Sequence, residues 1–283
     1  MGRPVQGSAR LRKKKPARNA VIVEPTNGRI GSLADYLNYM KKLASCWDLE
    51  AETMWFRGHR DSSWKLSPKL YRVEYKDADE SEIRLEFESR ALQLIQGRMP
   101  SEKWEWYFLM QHYGAPTRLL DWTDNPLLAL YFAVADHPRD CDAAVWVLDP
   151  DWLNRKLRRG IEGAMLPDWK EANSYLKDLE DAFEGTKVTA RMPAAIDPPH
   201  VDRRLAVQSS RFVIFGVDRD LMKIKAIKSE AKRKRHLQML TIPRDAVRAI
   251  QKDLYSCGIT HSFVFPDLDG LCREICRKHR RIS

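Results

Sequence analysis

The stretch Gln111–Val134, QHYGAPTRLLDWTDNPLLALYFAV, decides how the chain folds around its polar residues. It holds a histidine, two aspartates, an arginine, two threonines and a tryptophan, and it runs into the apolar segment Pro126–Ala135. Before it, EKWEWYFLMQHYG (102–114) reads as a helix. Gly114 sits where a left-handed residue closes a helix, and Pro116 bars continuation. After it, Asn125 fits a helix cap and Pro126 the first helical position, so a second helix begins there. APTRLLDWT (115–123) reads as a short extended link. Polar groups pinned between two helices cost stability unless they pair. The stretch therefore reads as a polar corner and as one side of a cleft, with the link as its wall and the helix at Pro126 as its floor.

Working outward, SLADYLNYMKKLASCW (32–47) has helical spacing with Ser32 as its cap. TMWFRGHR (53–60) alternates and then meets Gly58, which marks a strand at a close backbone approach. SEIRLEFESRALQLIQ (81–96) reads as a helix capped by Ser81. AVIVEP (20–25), AAVWVLD (143–149), SSRFVIFGVD (209–218) and LQMLTIP (237–243) read as strands. RDAVRAIQKDLYSCGI (244–259) is an amphipathic helix, and SFVFPDLDGLCREICRKHRR ends in another. The order lacks regular strand–helix alternation, so the expected class is α+β, a mixed sheet with flanking helices. Residues 1–20 read as a disordered basic arm. Residues 21–283 read as one domain, with 151–203 as a proline-rich loop or insertion.

A chain of 283 residues and 33.0 kDa can bury one large core or two modest ones. Its formal charge of +10 is concentrated at the ends. Arg3, Arg10, Arg12, Lys13, Lys14, Lys15 and Arg18 occur without an acid, and the last residues are again basic, while the body is near neutral. Basic arms suit nucleic acid through counterion release, so Arg10, Arg12, Lys13, Lys14 and Lys15 are candidate nucleic-acid contacts; the alternative is a solvated tail. The apolar runs are too short to span a bilayer and no secretion signal is apparent, which implies a soluble, cytoplasmic protein. The odd cysteine count argues against a disulfide framework. Cys272, Cys276 and His279 have no second pair of ligands at matching spacing, so no metal is expected. Walker, GxGxxG, HExxH, GxSxG and CxxC patterns are absent from the sequence.

WFRGHRDSSWKLSPKLYR (55–72), followed by QHYGAPTRLLDWTDNPLLALYFA (111–133), resembles the FRG domain, named for the Phe-Arg-Gly present here at Phe56, Arg57 and Gly58. RLAVQSSRFVIFG and GITHSFVFPDLDGL resemble segments that accompany the domain in longer members. A second resemblance is to ADP-ribosyltransferases, whose first strand carries an Arg-Gly or His-Gly anchor for NAD and whose second motif holds a YFA-type sequence. It implies an ADP-ribosyltransferase-like fold and NAD as substrate. Arg57, Asp121 and Gln208 are then the candidate catalytic residues. Arg57, Gly58, His112, Thr117, Arg118, Trp122, Asn125 and Tyr131 are the candidate NAD contacts. An arginine beside glycine can bind pyrophosphate or ribose bidentately, and a carboxylate or amide can steady oxocarbenium-like charge. The sequence departs from that family in lacking an E-x-E or Q-x-E pattern in the segment QSSRF (208–212), where Arg211 follows Gln208 at the position a glutamate would take.

The implied activity is that of a toxin or anti-phage effector modifying RNA, another nucleic acid or a host protein, with an antitoxin as possible partner. The alternatives are a non-catalytic nucleotide- or nucleic-acid-binding module and an NAD glycohydrolase. Each residue also has a structural reading: Arg57 can tie two motifs together through Asp121, Asn125 can cap its helix, and Trp122 can be core.

Overall fold

The computed structural model describes residues 29–50, 53–75, 79–95, 98–138, 140–157, 163–168, 172–176, 192–198, 208–224, 227 and 236–279. The basic residues of the N-terminal arm, the strand expected at 20–25 and much of 151–203 lie outside them.

Among the described residues six strands form one sheet: β1 (Trp55–His59), β2 (Leu119–Thr123), β3 (Ala143–Leu148), β4 (Ala194–Ile196), β5 (Ser210–Ile214) and β6 (Leu237–Ile242). Their order is β4-β5-β2-β1-β3-β6. The α+β class holds. Among the described residues every strand pair is antiparallel, and parallel pairing is confined to the isolated bridges Arg29–Thr241 and Met165–Ile196. The segment expected as an extended link is in part a central strand: Leu119–Thr123 pairs with β5 along its whole length, Asp121 opposite Phe212.

Helices were legible from their punctuation. Ser32 caps α1 (Leu33–Trp47), its hydroxyl accepting from Asp35 N. Asn125 caps α4 (Pro126–Val134), accepting from the N–H groups of Leu127 and Leu128. The cap of α2 (Glu80–Ala91) is Asp79 rather than Ser81, because the Asp79 carboxylate accepts from both Ser81 N and Glu82 N. After α3 (Lys103–His112), Gly114 takes φ +76, the left-handed geometry that glycine adopts without a Cβ penalty. Further helices among the described residues are α5 (Pro150–Leu157), α6 (Arg244–Ser256), α7 (His261–Val264) and α8 (Leu268–His279).

Side-chain alternation assigns the faces. Phe56, Val145 and Val147 pack under α1, α4 and α6, while Leu119, Phe212 and Ile214 pack under α3 on the same face of the sheet. Trp55, Leu120, Trp122, Trp146 and Val213 fill the opposite face with Trp152 and Leu153 of α5. With both faces covered, all six residues of β3 are buried, which accounts for its continuous apolar run.

Gly58 explains how α4 sits so low on the sheet. A Cβ there would stand 2.1 Å from the Ala129 carbonyl oxygen and 2.5 Å from Ala133 N. The close approach read from the sequence is thus the approach of α4. Gly58→Ala is expected to lift α4 and destabilise the fold by about 3 kcal/mol, toward the upper end for overpacking. A chemical denaturation midpoint measures this; an unshifted midpoint would show that α4 can rise freely.

Candidate functional site

β1 and β2 are in register only at Phe56–Thr123. Beyond that pair the strands part, and the helices above part as well, α4 to one side and the end of α3 to the other. The result is a cleft of about 420 Å³ over the centre of the sheet. Asp121 lies on its floor. In a central strand covered by helix, this position would be apolar; here the side chain is 57% exposed and ionisable.

Arg57 lies in the gap between the strands. Its Nη1 donates to the Asp121 main-chain carbonyl at 2.5 Å and stands 3.7 Å from the Asp121 carboxylate. Its Nε donates to His59 Nε2 at 3.1 Å. Burial pulls the guanidinium pKa down to about 10, opposed by Asp121, so it stays charged at neutral pH. Gln111 donates its amide to both Asp121 carboxylate oxygens at 2.9 Å, and the Thr117 hydroxyl donates to Gln111 Oε1. A relay of hydrogen bonds thus fixes the carboxylate from one side and the guanidinium from the other, leaving the Asp121 side chain open to the cleft.

His59 is neutral in this arrangement, since its Nε2 accepts from Arg57. Burial, then the charges of Arg57 and Arg72, push its pKa down to about 3. An unfolded histidine takes up a proton near pH ~6.5. Between these values the unfolded chain binds more protons, so stability declines as pH falls through that window, by up to about 1.4 kcal/mol per unit. A series of denaturation midpoints between about pH 7 and pH 4 checks this. His59→Gln, which keeps an acceptor for Arg57, is expected to flatten the dependence, and an equally steep slope in that variant would assign it to other groups.

The opposite wall pairs Tyr131 of α4 with His261 of α7, the hydroxyl 2.5 Å from Nδ1. Burial pushes the Tyr131 pKa up to about 12, so the phenol keeps its proton. Phe132 and Phe265 meet edge-on beside them, with ring centroids 6.2 Å apart. At the mouth, Arg60 lies over the half-exposed Trp64 ring, 5.6 Å from its centroid.

Arg57, Gly58, His112, Asp121, Trp122, Tyr131 and Gln208 all line the cleft. Two of them reach it in a limited way. The Trp122 ring packs with Trp55, Leu66 and Trp146 on the other face. Gln208 commits its side-chain amide to the Val264 carbonyl at 3.1 Å, and its main-chain carbonyl accepts from the Thr123 hydroxyl at 2.8 Å.

Three expected contacts lie elsewhere. Thr117 is fully buried and holds Gln111 from behind. Arg118 is 2% exposed, its Nε 2.6 Å from Glu80 Oε2 and its Nη2 donating to the Tyr175 carbonyl. It precedes β2 and is closed over by Glu80 of α2 and Tyr107 of α3, so it braces those helices instead of facing a ligand. Asn125 is spent on capping α4.

Sequence reasoning missed Gln111, His59 and His261. His59 could have been found, since it is two residues from Arg57 and so shares its strand face. Gln111 heads the polar stretch itself. His261 is 130 positions from Tyr131 and gave no local signal.

Residues 52–141 match the family model of the FRG domain. The chain carries an FRG domain. The matched segment supplies the floor of the cleft and most of its lining from Phe56 to Asp136, whereas β5 and α7 complete it from outside the FRG match. No curated protein and no solved structure matches the chain. Among the described residues, no group of His, Cys, Asp or Glu could hold a metal ion, and no helix is long and apolar enough to cross a membrane.

Proposed function

We propose that the FRG cleft binds NAD and supports ADP-ribosyl transfer. The observation that carries this reading is the juxtaposition of the Arg57 guanidinium and the open Asp121 carboxylate on the floor of a nucleotide-sized cleft with aromatic walls. Arg57 would hold pyrophosphate or ribose oxygens with the donors that Asp121 and His59 do not occupy. Asp121, fixed by Gln111, would stabilise the positive charge that develops on the ribose as the bond between C1′ and the nicotinamide nitrogen breaks. The bonding pair leaves with nicotinamide, and an acceptor oxygen or nitrogen then bonds to C1′ and gives up its proton. Asp121 would take the role for which the segment around Gln208 offers no glutamate, since the Gln208 amide is already engaged.

The acceptor we favour is nucleic acid, RNA first, with a host protein next, in the setting of a toxin or anti-phage effector acting in the cytoplasm and restrained by an antitoxin. The charge of the N-terminal arm supports a polyanionic acceptor.

The test is incubation of the full chain with NAD labelled on the adenine side, with and without cellular RNA and protein, following nicotinamide release and label transfer. Transfer supports the reading and identifies the acceptor class. Release without transfer makes the chain an NAD glycohydrolase. Binding of NAD without release leaves a non-catalytic binding module, and no binding at all overturns the proposal.

A further inference from the structure

α8 is an amphipathic helix with its apolar side turned outward. Leu268, Leu271, Cys272, Ile275 and Cys276 recur at three- and four-residue spacing and so form one stripe. Leu268 is 80% exposed, Leu271 44% and Ile275 48%, and both cysteines are exposed. The side that meets the body is small and polar. Gly270 packs under Phe265, where a Cβ would come within 2.0 Å of the Phe265 carbonyl oxygen. The Glu274 carboxylate accepts from Ser262 N at 2.9 Å and from the Ser262 hydroxyl. The helix is thus fastened by a glycine and a carboxylate, and nothing among the described residues covers the stripe. A contiguous apolar face of this kind marks an interaction surface.

We propose that this stripe is a self-association surface on which α8 of a second copy packs antiparallel. Charge selects both the occupant and the orientation. Asp267 and Asp269 lie at the start of the helix, Asp269 paired with Arg273 of its own helix at 2.9 Å yet 72% exposed and so open to a second cation; Arg277, Lys278 and His279 lie at its end. An antiparallel, two-fold pairing sets the acidic end of each copy against the basic end of the other, with Asp269 near Lys278 of its counterpart. Parallel pairing would set like ends together, and an anionic lipid surface would repel the two aspartates beside the stripe. A helix of 12 residues spans about 18 Å, so the contact is at the small end of interfaces and the dimer is expected to dissociate in the micromolar range. The pairing would also brace the cleft, because α8 supports α7 and the residue that follows it, which place His261 and Phe265 on the cleft wall. The proposal does not depend on NAD being the ligand.

The test is sedimentation equilibrium of the full chain from about 1 to 200 µM, with a mass rising from 33.0 kDa toward twice that value. Ile275→Glu, with an unchanged circular dichroism spectrum, is expected to weaken association at least about tenfold, because a charge would be buried in the stripe. Asp269→Lys is expected to weaken it too, and Asp269→Lys combined with Lys278→Glu to restore it. Cys272 lies mid-stripe, so with Cys257 and Cys276 changed to serine a short bis-maleimide should link two copies, and Cys272→Ser should abolish the link. A chain that stays monomeric throughout, a dimer indifferent to Ile275→Glu, or a monomer that instead binds phosphatidylserine vesicles would overturn the proposal. Failure of the charge swap to restore association would overturn the antiparallel arrangement.

Discussion

Arg57→Ala is expected to reduce nicotinamide release or ADP-ribose transfer from NAD by about 10²–10³-fold, the usual effect of removing one preorganised donor from a site of charge stabilisation. The variant will also lose some stability. Arg57 satisfies a β2 carbonyl that the sheet ladder leaves open where β1 and β2 part, and losing a charged hydrogen bond of that kind costs about 1.5–3 kcal/mol. Activity must therefore be compared with the fraction folded at the assay temperature.

Arg57→Lys separates the two roles. Lysine keeps the charge and one donor toward the Asp121 carbonyl, so the fold should largely survive. It lacks the planar fork, so it should not hold two ligand oxygens at once and His59 at the same time. A folded Arg57→Lys protein with most activity lost supports a ligand anchor. A folded Arg57→Lys protein with full activity would reduce Arg57 to a tie between strands.

Glu80→Ala is expected to destabilise the fold more than Gly58→Ala or Arg57→Ala. The Glu80 carboxylate is 7% exposed, pairs with Arg118 Nε at 2.6 Å, and accepts from the Arg118 N–H at 2.9 Å and from the Tyr107 hydroxyl. Removing it leaves a guanidinium that is 2% exposed with its main counter-charge gone. Breaking a buried pair from one side costs about 3–5 kcal/mol. A fall in denaturation midpoint of that size is the expected outcome. Glu80→Leu combined with Arg118→Met should recover a large part of it, because the penalty lies in the stranded charge rather than in the pair itself. A small loss in Glu80→Ala would mean that water reaches Arg118. Because Arg118 does not line the cleft, neither variant should change NAD affinity per folded molecule.

The difference between Arg57 and Arg118 shows where sequence reasoning stops. Both are arginines in or beside the polar motifs, and the motifs alone place both in one pocket. Their partners separate them: Arg57 reaches the Asp121 carbonyl across the gap between the strands, whereas Arg118 is closed in by Glu80 and Tyr175. Asp121 faces the space between α3 and α4, whereas Arg118, at the foot of β2, turns into the protein toward Glu80 of α2. The motif hides this, because the carboxylate that closes over Arg118 comes from Glu80, 38 residues earlier in the chain.

What the sequence by itself determined is what depends on near neighbours. Ser32 and Asn125 as caps, Pro126 as a first helical residue, Gly114 past a helix end and the apolar run of β3 rest on contacts within a few residues. The α+β class and the Phe-Arg-Gly motif were legible for the same reason. Only the tertiary structure decided that Gly58 admits α4, that β1 and β2 part after a single pair, and that Tyr131 meets His261 from 130 residues away. Those features arise from backbone packing and from strand register across the sheet. They depend on which surfaces meet, and local periodicity carries no record of that.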